Sequence, residues 1–236
     1  MRFEPQNTLD FKDQSVLVCG GSDGIGYGIA RAFLSAGARV SVTGTRRQGD
    51  YDQTFSGIEF HTLDVREPGS VTTLAAQFNT LDVLVNSVGS VLYKSAEFER
   101  KGFAQIVDIN LTGVMHLCTS FFAMLAASGG NIVNIDSIVA IRPALNNPAY
   151  TASKAGLAQL TRGLAMKWAA GGCGSTPLLP VWCLPSSPPI KPALMPLRHL
   201  QASARWAGLV RCTILPVRCC FWRRHRQPTS PGSNWR

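Results

Sequence analysis

The stretch SVLVCGGSDGIGYGIARAFLSAG, residues 15–37, constrains the fold more than any other part of the chain. A short apolar run feeds a glycine-rich turn, and the turn opens directly into a segment with apolar residues at helical spacing. Gly20, Gly24 and Gly26 carry no Cβ, so the chain can reverse tightly there. Its backbone N–H groups can then approach a phosphate at the helix N-terminus, where the helix dipole favours an anion. A glycine cluster alone is often no more than a tight turn, but here the strand and helix that a dinucleotide-binding turn requires both flank it.

The same alternation continues along the chain. Val- and Ile-rich runs at 15–19, 39–43, 58–63, 81–86 and 130–135 predict strands, and helical-period segments at 25–36, 70–78, 101–127 and 149–169 predict helices. That is the pattern of βαβ units, so the expected architecture is α/β: a Rossmann-type, doubly wound parallel sheet in three α/β/α layers. A dinucleotide-binding sheet of this kind usually carries an acidic residue at the end of its second strand, to hold the ribose 2′-hydroxyl of NAD. Here that strand ends VSVTGTRR, with Gly44 and Thr45 at the tip followed by Arg46 and Arg47. A guanidinium holds a 2′-phosphate that a carboxylate would repel, which favours NADP(H) and leaves NAD(H) open. The plainer alternative for either arginine is a solvated basic loop.

Further on, Tyr150 and Lys154 stand four apart at the start of a helical segment and project from one face. An ammonium beside a phenol favours the phenolate, and bringing a tyrosine pKa down from about 10 makes it a usable acid or base. By themselves the two read more readily as neighbours on a surface helix. Ser137 lies just beyond a buried strand, where a hydroxyl can bond an oxygen whose charge changes during reaction. His116 sits on an apolar helix and reads as a core or interface histidine, while Asn146 and Asn147 read as cleft-lining residues or turn formers.

In combination and in order, residues 10–170 resemble the short-chain dehydrogenase/reductase family. Its Thr-Gly-x-x-x-Gly-x-Gly appears as CGGSDGIG with Cys19 in the Thr place, its Asp-Val as Asp64-Val65, and its Asn-Asn-Ala-Gly as NSVG, departing at Ser87 and Val88. Its Asn appears as Asn110 in VDINLTG, its Ser as Ser137, and its Tyr-x-x-x-Lys as YTASK. The resemblance implies an oxidoreductase moving hydride between a nicotinamide cofactor and a carbonyl or alcohol. In it, Tyr150 would be the general acid/base, Lys154 would lower the tyrosine pKa and bind the nicotinamide ribose, Ser137 would hold the substrate oxygen, and Asn110 would position a relay water. It also implies cofactor contacts at Gly20, Ser22, Asp23, Gly24, Ile25, Gly26, Thr45, Arg46, Arg47, Asp64, Val65, Asn86, Ser87, Val88, Gly89, Tyr150 and Lys154. No metal is implied. A small-molecule carbonyl or alcohol substrate and a homo-oligomer, dimer or tetramer, are expected. The family's substrates span acyl thioesters, sugars, steroids and small alcohols.

After Ala170 the composition breaks. Of the 23 Lys+Arg, 14 lie in residues 1–170 with all 14 Asp+Glu, so that part is neutral and the whole excess of +9 sits in residues 171–236. The latter also hold 10 of 14 Pro, 5 of 7 Cys and 4 of 5 Trp. Two segments follow: 1–170, a family-like nucleotide-binding domain, and 171–236, a Pro/Arg/Cys-rich tail expected to be poorly ordered. Seven Cys without regular spacing or a secretion signal point to a reducing, cytoplasmic compartment. No apolar run is expected to span a bilayer.

The tail has a simpler account than a nucleic-acid site. Read from the third base of each codon, GCGSTPLLPVW permits RVRVNAVAPGL, close to the strand and Pro-Gly motif the resemblance calls for. In the same frame 204–220 permits PLGRPGEVYDIAGAVL, and 218 to the end permits VLFLASPPAAYITGQQLA. Three matches in one frame point to a reading-frame slip between about Trp168 and Gly172. The expected consequences are missing or non-native C-terminal strands, a fifth strand left as a bare edge, and, as the alternative to an active reductase, an inactive remnant that at most binds the nucleotide. In the genomic sequence, one base added or removed across codons 165–175 is expected to restore RVNAVAPG in the codons that follow, unless the genome already reads so. A genomic frame that no single-base change converts to that motif overturns the slip.

Overall fold

The first strand, β1 (Ser15–Cys19), is buried from its second residue onward, as a strand covered on both faces must be. It pairs in parallel with β2 (Arg39–Gly44) on one side. On the other side lies β4 (Val83–Asn86), also parallel. β3 (Ile58–Thr62) extends the sheet beyond β2, and β5 (Asn131–Ile135) and β6 (Gly174–Leu178) extend it beyond β4. The order β3-β2-β1-β4-β5-β6 is that of a doubly wound sheet. Winding reverses between β1 and β4, so the crevice for a ligand opens at the C-terminal ends of those two strands. The structure, a computed structural model, describes residues 10–168 and the backbone of 174–178.

Period-two alternation divides the core between the two faces of the sheet. Val16 and Val18 join Val40, Val42, Val85, Val133 and Ile135 beneath Ala30 and Phe33 of α1 (Gly24–Ser35). Leu17 and Cys19 join Leu84 and Ile132 on the opposite face, beneath α2 (Pro68–Ala75), α4 (Gly113–Ser128) and α5 (Pro148–Trp168). Asp23 caps α1 by accepting from the Gly24 N–H at 2.6 Å. Gly129 ends α4 at φ +65°. At the far end of α5, Trp168 stacks on Phe122 of α4, with ring centroids 4.4 Å apart.

Three expectations are corrected. The single helix predicted over 101–127 is α3 (Arg100–Val107), one π turn (Asp108–Thr112) and α4 in succession. That run, Arg100–Ser128, is also long and apolar enough by composition to cross a membrane, contrary to the sequence reading. In the fold its α4 part buries Val114, Leu117, Phe121 and Leu125 in the sheet-facing core, which accounts for the apolar composition. The fifth strand is not a bare edge: β6 pairs along its length, from Asn131 opposite Gly174 to Ile135 opposite Leu178. Pro177 is accommodated because β6 is outermost among the described strands, where a residue without an N–H is tolerated. The rest of the tail, and with it the expectation that it is poorly ordered, lies outside the described residues.

The join of β1 to α1 leaves no room for a side chain. A Cβ on Gly26 would stand 2.1 Å from the Gly20 carbonyl oxygen, which is backbone and cannot swing away. Gly26→Ala is therefore expected to destabilise the chain by about 2 kcal/mol or more, read as a lowered urea midpoint. An unchanged midpoint would show that α1 can move off the turn.

Candidate active site

The crevice at the ends of β1 and β4 is shaped for a ligand that lies against backbone. Gly20 has φ +75°, and a Cβ there would meet the Ser87 carbonyl oxygen at 2.8 Å and the Val88 nitrogen at 3.0 Å. The two strand ends are thus held apart by bare backbone only, and a flat, extended pyrophosphate-linked group fits such a cradle. The Gly20 N–H donates to Thr43 Oγ1 at 3.1 Å, tying the turn to β2. Asp23 also accepts from Gln53 Nε2, so its carboxylate serves as the helix cap.

At the tip of β2 the Arg46 guanidinium lies 4.2 Å from the centre of the Tyr51 ring, and the Arg46 N–H donates to the Tyr51 hydroxyl at 3.1 Å. Burial pushes the Tyr51 phenol up, but hydrogen bonds with Ser22, the Arg46 backbone and Thr45 outweigh it and hold the phenol below its ordinary range. Ser22, Thr45 and Arg46 therefore meet, as the sequence implied, around a tyrosine the sequence did not single out. Its only signal was an aromatic residue soon after the arginine pair. Arg47 stands apart from them, its N–H donating to Asp50.

Other predicted cofactor residues have partners of their own within the chain. Asp64 is bound by Arg66 through both oxygens, and that guanidinium holds the carboxyl below the usual range. Val65 is buried and lies against Gly113. Asn86, 1% exposed, turns into the core and donates to Asn134 Oδ1 at 2.8 Å, while Asn134 donates to Thr161 Oγ1 at 2.9 Å. This chain ties β4 to β5 and to α5, so Asn86 is a brace between strands. Asn134 and Thr161 were missed because a buried amide or hydroxyl has no sequence signature apart from its apolar neighbours.

The predicted catalytic residues converge. Asn110 is fully buried on the π turn; its Oδ1 accepts from the Ser90 N–H at 2.7 Å and its Nδ2 donates to the Ser90 carbonyl and to Ser153 Oγ. A π turn adds a residue to the helical circuit and recurs where a side chain must be re-aimed. Lys154, 4% exposed, donates from Nζ to the Ile135 carbonyl at 2.8 Å. A methyl on Gly89 would lie 3.8 Å from Lys154 Nζ and 3.9 Å from Asn110 Oδ1, which places Gly89 beside both. Ser137 stands close enough to the Tyr150 phenol to act on its ionisation. Asn147, read as a turn former or cleft residue, donates to the Leu92 carbonyl at 2.8 Å.

The electrostatics differ from the sequence reading. Burial pushes the Tyr150 phenol above its ordinary value; Ser137 opposes this, and the charges of Asp136 and Glu97 together with Tyr93 add to it. Lys154 does not reverse that rise: its Nζ is 5.9 Å from the ring centre, bound to a carbonyl, and burial lowers its own pKa to about 8. Asp136, which the sequence reading did not select, accepts from the Ser137 N–H through Oδ1 while Oδ2 has no partner. Burial pushes its carboxyl up, against that backbone bond and the pull of Lys154 and Arg162.

A doubly wound sheet with a bare-backbone cradle at its switch point and a Ser–Tyr–Lys cluster beside it defines a nucleotide-dependent α/β enzyme. The short chain dehydrogenase profile matches residues 14–174, and the chain belongs to that family of oxidoreductases. It is 35% identical to L-fucose dehydrogenase of Oryctolagus cuniculus over 64% of this chain and 56% of that protein, so the match spans little more than half of the relative. It is 32% identical to 2-dehydro-3-deoxy-D-gluconate 5-dehydrogenase of Bacillus subtilis, covering 70% of this chain and 69% of the relative. Among solved structures, the ligand-free aldohexose dehydrogenase of Thermoplasma acidophilum superposes with a TM-score of 0.66 at 27% identity, covering 73% of this chain and 68% of that one.

The buried lysine makes stability pH-dependent. Its pKa is about 8 in the fold and 10.5 ordinarily, so between those values the unfolded chain binds more protons and stability rises with pH. The stabilisation is complete above 10.5 and is lost as pH falls through about 8. Cys19, whose thiol burial pushes up from 9.0, acts oppositely above that value. Urea unfolding is expected to show a gain of about 1 kcal/mol from pH 8 to pH 9, absent in Lys154→Met. A flat profile would mean that Lys154 stays charged in the fold.

Proposed function

We propose that this chain is built as an NADP(H)-preferring oxidoreductase acting on a small carbonyl or alcohol substrate, with Tyr150 as proton donor and acceptor. The observation that carries this reading is the meeting of Tyr150, Ser137 and Lys154 beside Gly89, at the strand ends where the bare cradle of Gly20 and Gly26 opens. When bound, the nicotinamide supplies or accepts the hydride. In the reducing direction the Tyr150 hydroxyl gives its proton to the oxygen of the substrate, and in the oxidising direction it takes that proton back. Ser137, beside the same phenol, would hold the substrate oxygen within proton-transfer reach. Burial keeps the Tyr150 phenol protonated near neutral pH, the form that donates in the reducing direction. Arg46, held over Tyr51 beside Ser22, would take the 2′-phosphate, with NAD(H) as the weaker alternative.

A cytoplasmic enzyme working as a dimer or tetramer, with no nucleic-acid or membrane partner, fits this reading. A second reading rests on a different observation: the family match ends at residue 174, a few residues after the composition breaks. On that reading the chain as written binds a nucleotide but turns over nothing. Turnover separates the two.

With the frame restored, Tyr150→Phe is expected to lower kcat by about 10²–10⁴-fold while leaving the cofactor Kd nearly unchanged. Arg46→Ala is expected to weaken NADPH about tenfold and leave NADH unaffected. An equal loss for both cofactors would remove the basis for NADP preference. Normal turnover by the unrestored chain would remove the second reading.

A further inference from the structure

Glu97 is the one fully buried carboxylate in this neighbourhood that neither the family resemblance nor the chemistry above employs. It stands in a short 3-10 turn, Ala96–Phe98, on the connection from β4 to α3. Lys94 and Ser95, which precede it, have φ of 57° and 60°, two consecutive non-glycine residues in the left-handed region. Such a backbone persists only where its surroundings over-determine it. Glu97 supplies that fixing: Oε1 accepts from the Leu92 N–H at 3.0 Å and from Asn147 Nδ2 at 3.2 Å, and Oε2 accepts from the Tyr150 N–H at 2.9 Å.

The last bond replaces an ordinary helix cap. Asn147 immediately precedes α5, where an asparagine normally turns its own oxygen onto the first free N–H groups of the helix. Here its amide instead points away, donating to the Leu92 carbonyl and to Glu97. The first turn of α5 is therefore capped by a carboxylate 53 residues earlier in the chain. No basic side chain forms an ion pair with Glu97 among the described residues. Three N–H donors and the positive end of α5 hold its charge.

We infer that Glu97 is a positioning residue for Tyr150: its carboxylate fastens the first turn of α5 to the β4–α3 connection and sets a negative charge at the backbone of the residue that carries the phenol. The fastening sets where the phenol stands relative to Ser137. The charge opposes formation of tyrosinate, in the same sense as Asp136 from the end of β5 and Tyr93 from the same connection; Lys154 is the neighbouring cation on α5. This inference rests on Tyr150 being the group that moves the proton, but its test needs no turnover, so it can fail while that reading stands.

The test uses the full chain. The alkaline tyrosinate absorbance of the parent minus that of Tyr150→Phe isolates the Tyr150 transition, and amide hydrogen exchange reports on residues 150–153. In Glu97→Gln, itself measured against its double mutant with Tyr150→Phe, the Tyr150 transition is expected to move down by about one pH unit. Exchange in the first turn of α5 is expected to quicken about tenfold. Glu97→Asp keeps the charge but cannot reach the Tyr150 N–H, so exchange quickens and the transition stays in place. A Tyr150 transition unmoved in Glu97→Gln, or exchange quickened equally throughout the sheet core, overturns the proposal. Should Glu97→Gln not fold, Asn147→Ala decides. It leaves the carboxylate but removes one of its holders, and unchanged exchange across residues 150–153 in that variant also overturns it.

Discussion

The contact between Gly26 and the carbonyl of Gly20 is the point on which the rest of the structure is hung. With a bare Cα in each place, α1 packs directly on the turn that follows β1, and that packing fixes where the helix N-terminus lies relative to the ends of β1 and β4. Every ligand-facing group is measured from that corner. The β2 tip is tied to it through Thr43, and the β4 end meets it through Ser87. A close-packed corner of this kind leaves little room for adjustment, so its geometry passes to the site without slack.

The opposite side of the crevice is held by polar groups buried in the core. Asn86, Asn134 and Thr161 link two strands and a helix in one line, and Asn110 links the β4–α3 connection to α5 through Ser90 and Ser153. Hydrogen bonds of this sort add modestly to stability, but leaving one half-made is costly. They therefore fix distances more than they add energy. The phenol, hydroxyl and ammonium of the site come from α5 and from the end of β5, the elements these links join.

Much of this was legible in the sequence because it follows from periodicity and from glycine. The five strands of the first 170 residues, the βαβ order and the cradle are consequences of alternating apolar runs and of Cβ-free positions, which can be read one residue at a time. The π turn was not legible, since VDINLTG carries apolar residues at spacings that suit an uninterrupted helix equally well. Nor was the direction of the Tyr150 shift. Spacing placed Lys154 on the same helix face, but burial, the Ile135 carbonyl and the acids from two other segments decide the balance. Asp64 is another such case: the resemblance implied a cofactor contact there, and spacing did not show that Arg66, two residues on, binds both of its oxygens.

β6 separates two properties that a whole enzyme joins. A parallel ladder asks of its outer strand only an extended backbone with peptide groups at the right spacing, and the stretch Gly174–Leu178 meets that demand along all of β5. A site asks for particular atoms at particular points, which an arbitrary stretch of polypeptide does not supply. The rim of a sheet is therefore indifferent to side-chain identity in a way that its crevice is not.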